Sequence, residues 1–214
     1  MNKPIAQLIH LSVLVLGLFV VEKARADEAE VLEVMEACNA KAEYKLNARQ
    51  IAAAAMSRFP DNAKARIYWL ILLCMESGFN PKAGPSPAGA IGIGQIMPQY
   101  AKEFAAYCQI EPPTPRELSR LDINLAVSSC RWSELFGMFS GDVALGLASY
   151  NAGPNSKDIE RIKRNGTRSI NRETMGYLAL AFSLQEKIER IKDDKKLHSD
   201  TDIGNYFPRQ RERS

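Results

Sequence analysis

Apolar residues recur every three or four positions through most of the chain, which is the spacing of one face of an α-helix. No segment shows the strict alternation of apolar and polar residues that is typical of a half-buried strand. Glycines and prolines separate the periodic segments. The pattern predicts an all-α fold, with helices over residues 27–45, 48–59, 65–77, 121–139, 142–150 and 172–192 and one that begins at Ile93 or Pro98 and ends at Tyr107.

The third predicted helix is the most apolar. Its cap is either Asp61 or Asn62, and it ends at Ser77. Every residue of Ile67–Met75 is apolar, so this helix has no polar face, and a helix of that kind is buried. The helix before it is predicted to be capped by Asn47. We therefore expect the third helix to form the centre of the core.

The N-terminus has the pattern of an export signal. Leu11–Val21 is an uncharged apolar run, and Ala24-Arg25-Ala26 supplies a small-x-small cleavage site. The run is shorter than the ~20 residues that a membrane-spanning helix needs, although an uncleaved anchoring helix is the alternative. We expect cleavage after Ala26 and no transmembrane segment in the mature chain. The predicted organisation is a signal peptide (1–26), an N-terminal helix (27–47), a main domain (48–192) and a polar, flexible tail (193–214).

Composition narrows the function classes. The 214 residues carry a net charge of only +3, which argues against a dedicated nucleic-acid binder. Two histidines, His10 and His198, exclude a three-histidine zinc site and leave almost no room for a Ser–His or Cys–His nucleophile pair. We therefore expect no metal, no cofactor and no nucleic-acid partner.

The chain has four cysteines, an even number that suits an oxidising compartment. Two disulfides, or one disulfide and two buried thiols, are both compatible with the sequence. Cys74 lies in the apolar third helix, where a buried thiol is common. Cys108 and Cys130 flank a proline-rich connection, and we predict that these two are bonded to each other.

Glu76 is the first candidate for chemistry. It follows the apolar run at the carboxyl end of a helix, where the helix dipole and the loss of hydration both disfavour a negative charge. Both effects raise the pKa of a carboxyl group, and a carboxylic acid that stays protonated near neutral pH can act as a general acid. The alternative is a helix-end glutamate that turns out to solvent.

Three further segments contain candidate residues. A glycine-rich segment at residues 84–95, called the glycine loop below, lacks the strand and the third glycine of a dinucleotide-binding fingerprint. A predicted helix ends at Tyr150 and Asn151, a pair suited to hydrogen bonding with a sugar. Glu173 and Tyr177 lie four positions apart, on one helix face. Each segment also has a purely structural interpretation: a loop, a helix end with a packed tyrosine, and a surface glutamate beside a half-buried tyrosine.

Taken in order, Glu76–Pro81, Gly89–Pro98, Ser149–Pro154 and Arg172–Tyr177 resemble the four motifs of the family 1 lytic transglycosylases. The resemblance covers about residues 48–190, and Asn124 also falls where that family tends to have an asparagine. Gly94 departs from the pattern, since methionine is frequent there. The resemblance implies an all-α, lysozyme-like (goose-type) fold with a glycan-binding groove, and it makes 48–192 the catalytic domain.

The same resemblance implies a reaction and a site. The substrate would be peptidoglycan glycan strands, cleaved between N-acetylmuramic acid and N-acetylglucosamine to leave a 1,6-anhydro end. Glu76 would act first as acid and then as base, without the second carboxylate that most glycosidases use. The implied substrate-binding and bracing residues are Ser86, Gln95, Met97, Tyr150, Asn151, Glu173 and Tyr177.

Two other functions remain open from the sequence: a lysozyme-like hydrolase, and a peptidoglycan-binding assembly factor without activity. Retention of Glu76 argues against the second, since a binder does not need it. The export signal predicts a periplasmic protein, and we expect a monomer. The small size suits a specialised role in opening the wall for a type IV secretion or conjugation apparatus, whose components would then be partners, and it is also compatible with general wall turnover.

Overall fold

The computed structural model describes residues 3–166 and 170–205, with side chains described for 20–166 and 170–198. Within these ranges no strand is formed, which confirms the all-α class, and one isolated bridge pairs Ile91 with Ile96. Short 3₁₀ helices lie at Ala42–Asn47 and Glu117–Ser119. The α-helices are α1 (Lys3–Ala37), α2 (Ala48–Arg58), α3 (Ala63–Ser77), α4 (Pro98–Tyr107), α5 (Leu121–Met138), α6 (Val143–Ala152), α7 (Lys157–Asn165) and α8 (Arg172–Asn205).

The helix predicted to be buried is α3, and it packs against α1, α2, α5 and α8. Trp69 and the four residues Leu70–Leu73 are completely inaccessible to solvent. Burial of each such side chain contributes about 1.5–3 kcal/mol relative to leaving it exposed. Of the two caps considered, Asn62 forms the cap, because its Oδ1 accepts a hydrogen bond from the amide of Ala65 at 2.9 Å. A rigid central helix therefore carries the chain to Glu76.

The N-terminal helix ends earlier than the sequence predicts. It stops at Ala37 rather than at residue 45, and Asn39 adopts a φ of 56°. Asparagine tolerates this left-handed conformation better than most residues, so the helix ends there and a 3₁₀ helix follows. The part of α1 that packs on the core lies beyond the predicted cleavage site, with Val31, Val34 and Met35 buried.

The predicted cleavage site lies within α1, which continues through Ala26. Residues 20–26 are all exposed, so this part of the helix contributes no buried side chain to the core. None of the described helices combines the length and the apolar content needed to cross a membrane. Residues 1–2 of the predicted signal peptide lie outside the described residues.

Three other local predictions need correction. The side chain of Asn47 does not cap α2, because its Nδ2 donates to the carbonyl of Tyr44 at 3.2 Å. Helix α7 has no counterpart in the sequence prediction. It is short and strongly charged, and its buried residues are Asp158, Ile159 and Ile162. Helix α8 continues past Lys192 to Asn205, so the predicted tail begins as helix. Residues 206–214 of that tail lie outside the described part of the chain.

All four cysteines are paired. The predicted Cys108–Cys130 disulfide is confirmed and joins the end of α4 to α5. A second disulfide, Cys38–Cys74, ties the end of α1 to α3 with a Cα–Cα distance of 6.0 Å. The alternative of two buried thiols is therefore wrong. The second disulfide holds α3 one turn before its end, close to Glu76.

Candidate active site

Glu76 occupies the last turn of α3. The helix ends at Gly78, whose φ of 60° is left-handed, and its amide bonds to the carbonyl of Cys74 at 2.7 Å. Glycine adopts this conformation without the cost that a Cβ would add. The hydroxyl of Ser77 donates to the carbonyl of Ile93 at 2.7 Å, which links the helix end to the glycine loop. The position of Glu76 is therefore held from both sides.

The carboxyl group of Glu76 is poorly hydrated. Burial raises its pKa from the ordinary 4.5 to about 7, and a hydrogen bond from the Tyr177 hydroxyl lowers the pKa and so opposes part of that rise. That hydroxyl donates to Oε1 at 2.6 Å. A group with this pKa is available in both protonation states near neutrality, which is what a residue that first donates and then accepts a proton requires. The sequence prediction of a raised pKa is consistent with this environment.

Tyr177 reaches Glu76 from the second turn of α8. Burial, together with the charge of Glu76, raises the pKa of Tyr177 well above its ordinary value, so the phenol stays protonated and donates. The start of α8 is anchored by Thr174, which is fully buried and donates from Oγ1 to Oδ2 of Asp158 at 2.8 Å. The α7–α8 contact thus positions Tyr177, and α7 was absent from the sequence prediction.

Tyr150 lies near the end of α6. Its hydroxyl donates to the carbonyl of Gly94 at 2.8 Å. Burial and the charge of Glu76 raise the pKa of Tyr150, while the charge of Arg131 partly opposes the rise. Tyr150 is therefore close enough to both charges to respond to them. It joins the third motif to the glycine loop.

Asn124 supports the glycine loop from α5. It is 1% exposed, and its Oδ1 accepts from the amide of Gly94 at 2.8 Å while its Nδ2 donates to the carbonyls of Ile91 and Leu118. Methionine is frequent at the position of Gly94 in the resembled family, and the packing of this fold explains the glycine found here. A Cβ at position 94 would lie 2.5 Å from the Cβ of Ser128, so a side chain there would require α5 to move.

Gln95 and Ser86 belong to the same loop but have different surroundings. Gln95 has a left-handed φ of 47°, and its Nε2 donates to the carbonyl of Gly92 at 2.9 Å. Ser86 is half-buried, and its Oγ accepts from the amide of Ala90 at 3.1 Å. The Ser86 hydroxyl retains its own hydrogen for a ligand. The loop thus presents polar groups on a backbone that is fixed by internal bonds.

A cavity of about 530 Å³ lies beside Tyr150. Four of the predicted substrate-binding residues line it: Gln95, Met97, Tyr150 and Asn151. A volume of this size holds a ligand of one or two sugar rings. Glu76, Ser86 and Tyr177 are not among the residues that line the cavity. The glycine loop connects the cavity to the end of α3, because Tyr150 bonds to Gly94 and Ser77 bonds to Ile93.

The structure does not place Glu173 at this site. Its side chain is exposed, and it makes no hydrogen bond or ion pair with any described residue. The brace that the sequence resemblance assigns jointly to Glu173 and Tyr177 is formed here by Tyr177. No group of three His, Cys, Asp or Glu side chains within the described residues could hold a metal ion.

Two buried polar residues that line the cavity were not assigned to the site from the sequence. Arg131 is 6% exposed, and Ser149 is fully buried with no hydrogen-bond partner among the described residues. A sequence signal existed for Arg131, because it is the only charged residue between Asp122 and Glu134. Nothing local distinguishes Ser149 from an ordinary helix serine.

Comparisons with known proteins agree with this architecture. The model of the transglycosylase SLT domain family matches residues 61–173. A curated Haemophilus influenzae protein, whose name assigns it as a soluble lytic murein transglycosylase, is 24% identical over 153 residues, or 67% of this chain and 26% of that protein. The X-ray structure of an inactive mutant of the lytic transglycosylase Slt from Pseudomonas aeruginosa matches with a TM-score of 0.56 and 22% identity, over 67% of this chain and 24% of that chain.

The chain spans about a quarter of the length of each of these two relatives. The likeness to the solved structure supports the fold that the helices already indicate. The family match covers more than half of the chain and extends from Asp61 to Glu173, so it includes Glu76, the glycine loop and Tyr150. On this match, the chain belongs to the transglycosylase SLT domain family.

Proposed function

We propose that this protein is a peptidoglycan lytic transglycosylase that cleaves the β-1,4 bond between N-acetylmuramic acid and N-acetylglucosamine. The observation that carries the proposal is the carboxyl group of Glu76, which has a pKa of about 7 and a hydrogen bond from Tyr177. Membership of the SLT domain family supports the substrate class.

In the proposed reaction, protonated Glu76 gives its proton to the glycosidic oxygen as the bond from that oxygen to the muramic C1 breaks. The carboxylate that results then takes the proton of the 6-hydroxyl of the same muramic residue. The 6-oxygen forms a new bond to C1, which gives the 1,6-anhydro ring. Water is neither consumed nor released, and Glu76 ends the cycle protonated as it began.

The surroundings of Glu76 suit both halves of this cycle. Burial favours the neutral acid that the first half needs. The Tyr177 hydroxyl stabilises the carboxylate that the first half creates, because it donates to Oε1. The causes that shift the pKa of Glu76 are burial and this hydroxyl, and no second carboxylate of the described residues contributes. A hydrolase that uses two nearby carboxylates is therefore the less favoured alternative.

The other predicted residues would bind the glycan strand. Gln95, Met97, Tyr150 and Asn151 line one cavity, so they could contact adjacent sugar rings together. Ser86, near the start of the glycine loop and outside this cavity, would contribute a hydroxyl donor. Glu173 is exposed, and we assign it no direct contact with the reacting atoms.

Replacement of Glu76 tests the mechanism. Glu76→Gln keeps the size of the side chain but can neither give nor take the proton, so digestion of purified peptidoglycan should fall by about two to four powers of ten. Glu186→Gln, which removes an exposed carboxylate elsewhere on α8, is the matched control and should leave digestion unchanged. An active Glu76→Gln protein would overturn the mechanism.

The mass of the products identifies the reaction. A transglycosylase releases muropeptides one water lighter than the hydrolysed species and creates no new reducing ends. Products at the full hydrolysed mass would make the protein a lysozyme-like hydrolase. Binding of peptidoglycan without any product from the unsubstituted protein would favour the assembly factor.

The proposal includes removal of the predicted export signal after Ala26. Residues 20–26 are exposed, and the buried residues of α1 begin after them at Val31, so cleavage after Ala26 would leave the core intact. The intact mass of protein recovered from the periplasm tests this, and a mass that includes residues 1–26 would contradict it. A role beside a type IV secretion or conjugation apparatus, and the monomeric state, stay predictions from the sequence.

A further inference from the structure

Arg131 is a buried charge that the proposed reaction does not use. Its Nη1 donates to Oε2 of Glu134 at 2.7 Å, and the guanidinium lies 4.3 Å from the centre of the Phe104 ring. The side chain of Arg131 is 8% exposed. One ion pair and one aromatic face therefore hold the planar group in a single orientation.

The rest of the guanidinium is available to a ligand. Nε and Nη2 donate no hydrogen bond to any described residue, yet neither is among the polar atoms sealed from solvent. Arg131 lines the cavity that Gln95 and Tyr150 also line. Glu134 does not line the cavity. Glu103 does, but its side chain is exposed, so water screens its charge.

A second polar residue that lines the cavity, Ser149, lacks a hydrogen-bond partner within the described residues. Ser149 is also completely buried. A buried hydroxyl without a partner costs stability unless a ligand or water completes it. The residues that line the cavity therefore include a fixed guanidinium with unpaired N–H groups and a serine whose hydroxyl lacks a partner among the described residues.

The glycine loop connects this cavity to the end of α3. Tyr150, which lines the cavity with Arg131, donates to the carbonyl of Gly94, and Ser77, the residue after Glu76, donates to the carbonyl of Ile93. A group bound at Arg131 would then be one part of a substrate whose scissile bond lies at Glu76. A buried arginine with unpaired N–H groups binds a carboxylate more strongly than a neutral sugar hydroxyl, because the hydrogen bonds are then charge-assisted on both sides.

We propose that Arg131, in a cavity whose lining also includes the unpaired Ser149, forms a carboxylate subsite for the acidic substituent of the muramic residue. This inference rests on the proposed function. Arginine pairs with a carboxylate through two parallel N–H groups, and Nε and Nη2 form such a pair. N-acetylglucosamine has no carboxylate, whereas muramic acid carries one on its lactyl group, or on the peptide that is attached there. The subsite would therefore select muramic acid and fix the register of the strand.

Calorimetric titration of the full chain with three soluble probes tests the subsite, in a Glu76→Gln background that prevents turnover. The probes are chitobiose, the disaccharide of N-acetylglucosamine and muramic acid, and the same disaccharide with its stem peptide. We expect a carboxylate-bearing probe to bind about tenfold or more tighter than chitobiose, as a charged hydrogen bond would give. A preference for the peptide-free disaccharide assigns the lactyl carboxylate, and a preference for the peptide probe alone assigns the stem.

Arg131→Met should remove this preference and leave chitobiose binding unchanged. Arg164→Met is the matched control, because Arg164 has an ion pair on α7 and is exposed, and it should retain the full preference. If Arg131→Met does not fold, Arg131→Lys decides, since it keeps the charge without the planar fork and should reduce the preference. An unchanged preference in either variant, or no preference in the parent chain, would overturn the subsite.

Failure of the proposed function would look different. Muropeptide release from peptidoglycan by the chain with Glu76 intact reports on the reaction alone. Normal release together with an Arg131-independent preference overturns only the subsite. Absence of release together with an Arg131-dependent preference overturns only the reaction.

Discussion

Glu76 is expected to lower the stability of the folded chain at neutral and alkaline pH. Its pKa is about 7 in the folded chain against an ordinary value of 4.5. Between these values the folded chain binds more protons than the unfolded chain, so the free energy of unfolding falls as the pH rises through this window. Each pKa unit corresponds to about 1.4 kcal/mol, which makes the loss about 3 kcal/mol once Glu76 is ionised in both states.

Glu76→Gln isolates this contribution, because the amide has the shape of the acid and does not titrate. The stability of the variant relative to the parent chain should therefore increase by about 3 kcal/mol between about pH 4 and about pH 8. Urea unfolding at a series of pH values, followed by circular dichroism, measures the difference. The exposed Glu186→Gln control should show no such trend.

A difference between Glu76→Gln and the parent chain that does not depend on pH would refute the reasoning. It would mean that solvent in the groove hydrates the carboxylate and keeps the folded pKa near 4.5. A difference of the opposite sign would mean that the Tyr177 hydrogen bond outweighs burial. Both outcomes would also remove the physical basis for Glu76 as a general acid near neutral pH.

Three further substitutions have defined expectations. Tyr177→Phe removes the donor to the carboxylate of Glu76, so the pKa of Glu76 should rise further and the alkaline limb of the wall-digestion profile should move to higher pH. An unmoved limb would contradict the contact. Asn124→Ala leaves one amide and two carbonyls unpaired in the interior, so the free energy of unfolding measured in urea should fall by about 3 kcal/mol. A loss below about 1 kcal/mol would show that the glycine loop relaxes instead. Replacement of both Cys108 and Cys130 by serine opens a loop with a sequence separation of 22, so the free energy of unfolding should fall by about 3 kcal/mol in the same assay. Equal stability of the variant and the parent chain would contradict the chain-entropy argument.

The sequence by itself determined the helical class, the buried α3 and the position of Glu76 at its end. These features depend on local patterns: apolar residues at helical spacing, an apolar run without a polar face, and a capping residue at position 61 or 62. The Cys108–Cys130 bond could also be predicted from the sequence, because the two residues flank a short connection. Four motifs in order were sufficient to indicate the family before any contact was known.

The tertiary structure alone decided which of the motif residues meet. Tyr177 bonds to Glu76 across 101 positions of sequence, whereas Glu173, four residues earlier on the same helix, remains in solvent. Spacing places both on one helix face, but the packing of α8 determines which of them reaches α3. Helix α7 was missed because it is strongly charged, and its buried Asp158 became significant only through its bond to α8. Long-range packing, which no local pattern encodes, also brought Arg131 to the cavity.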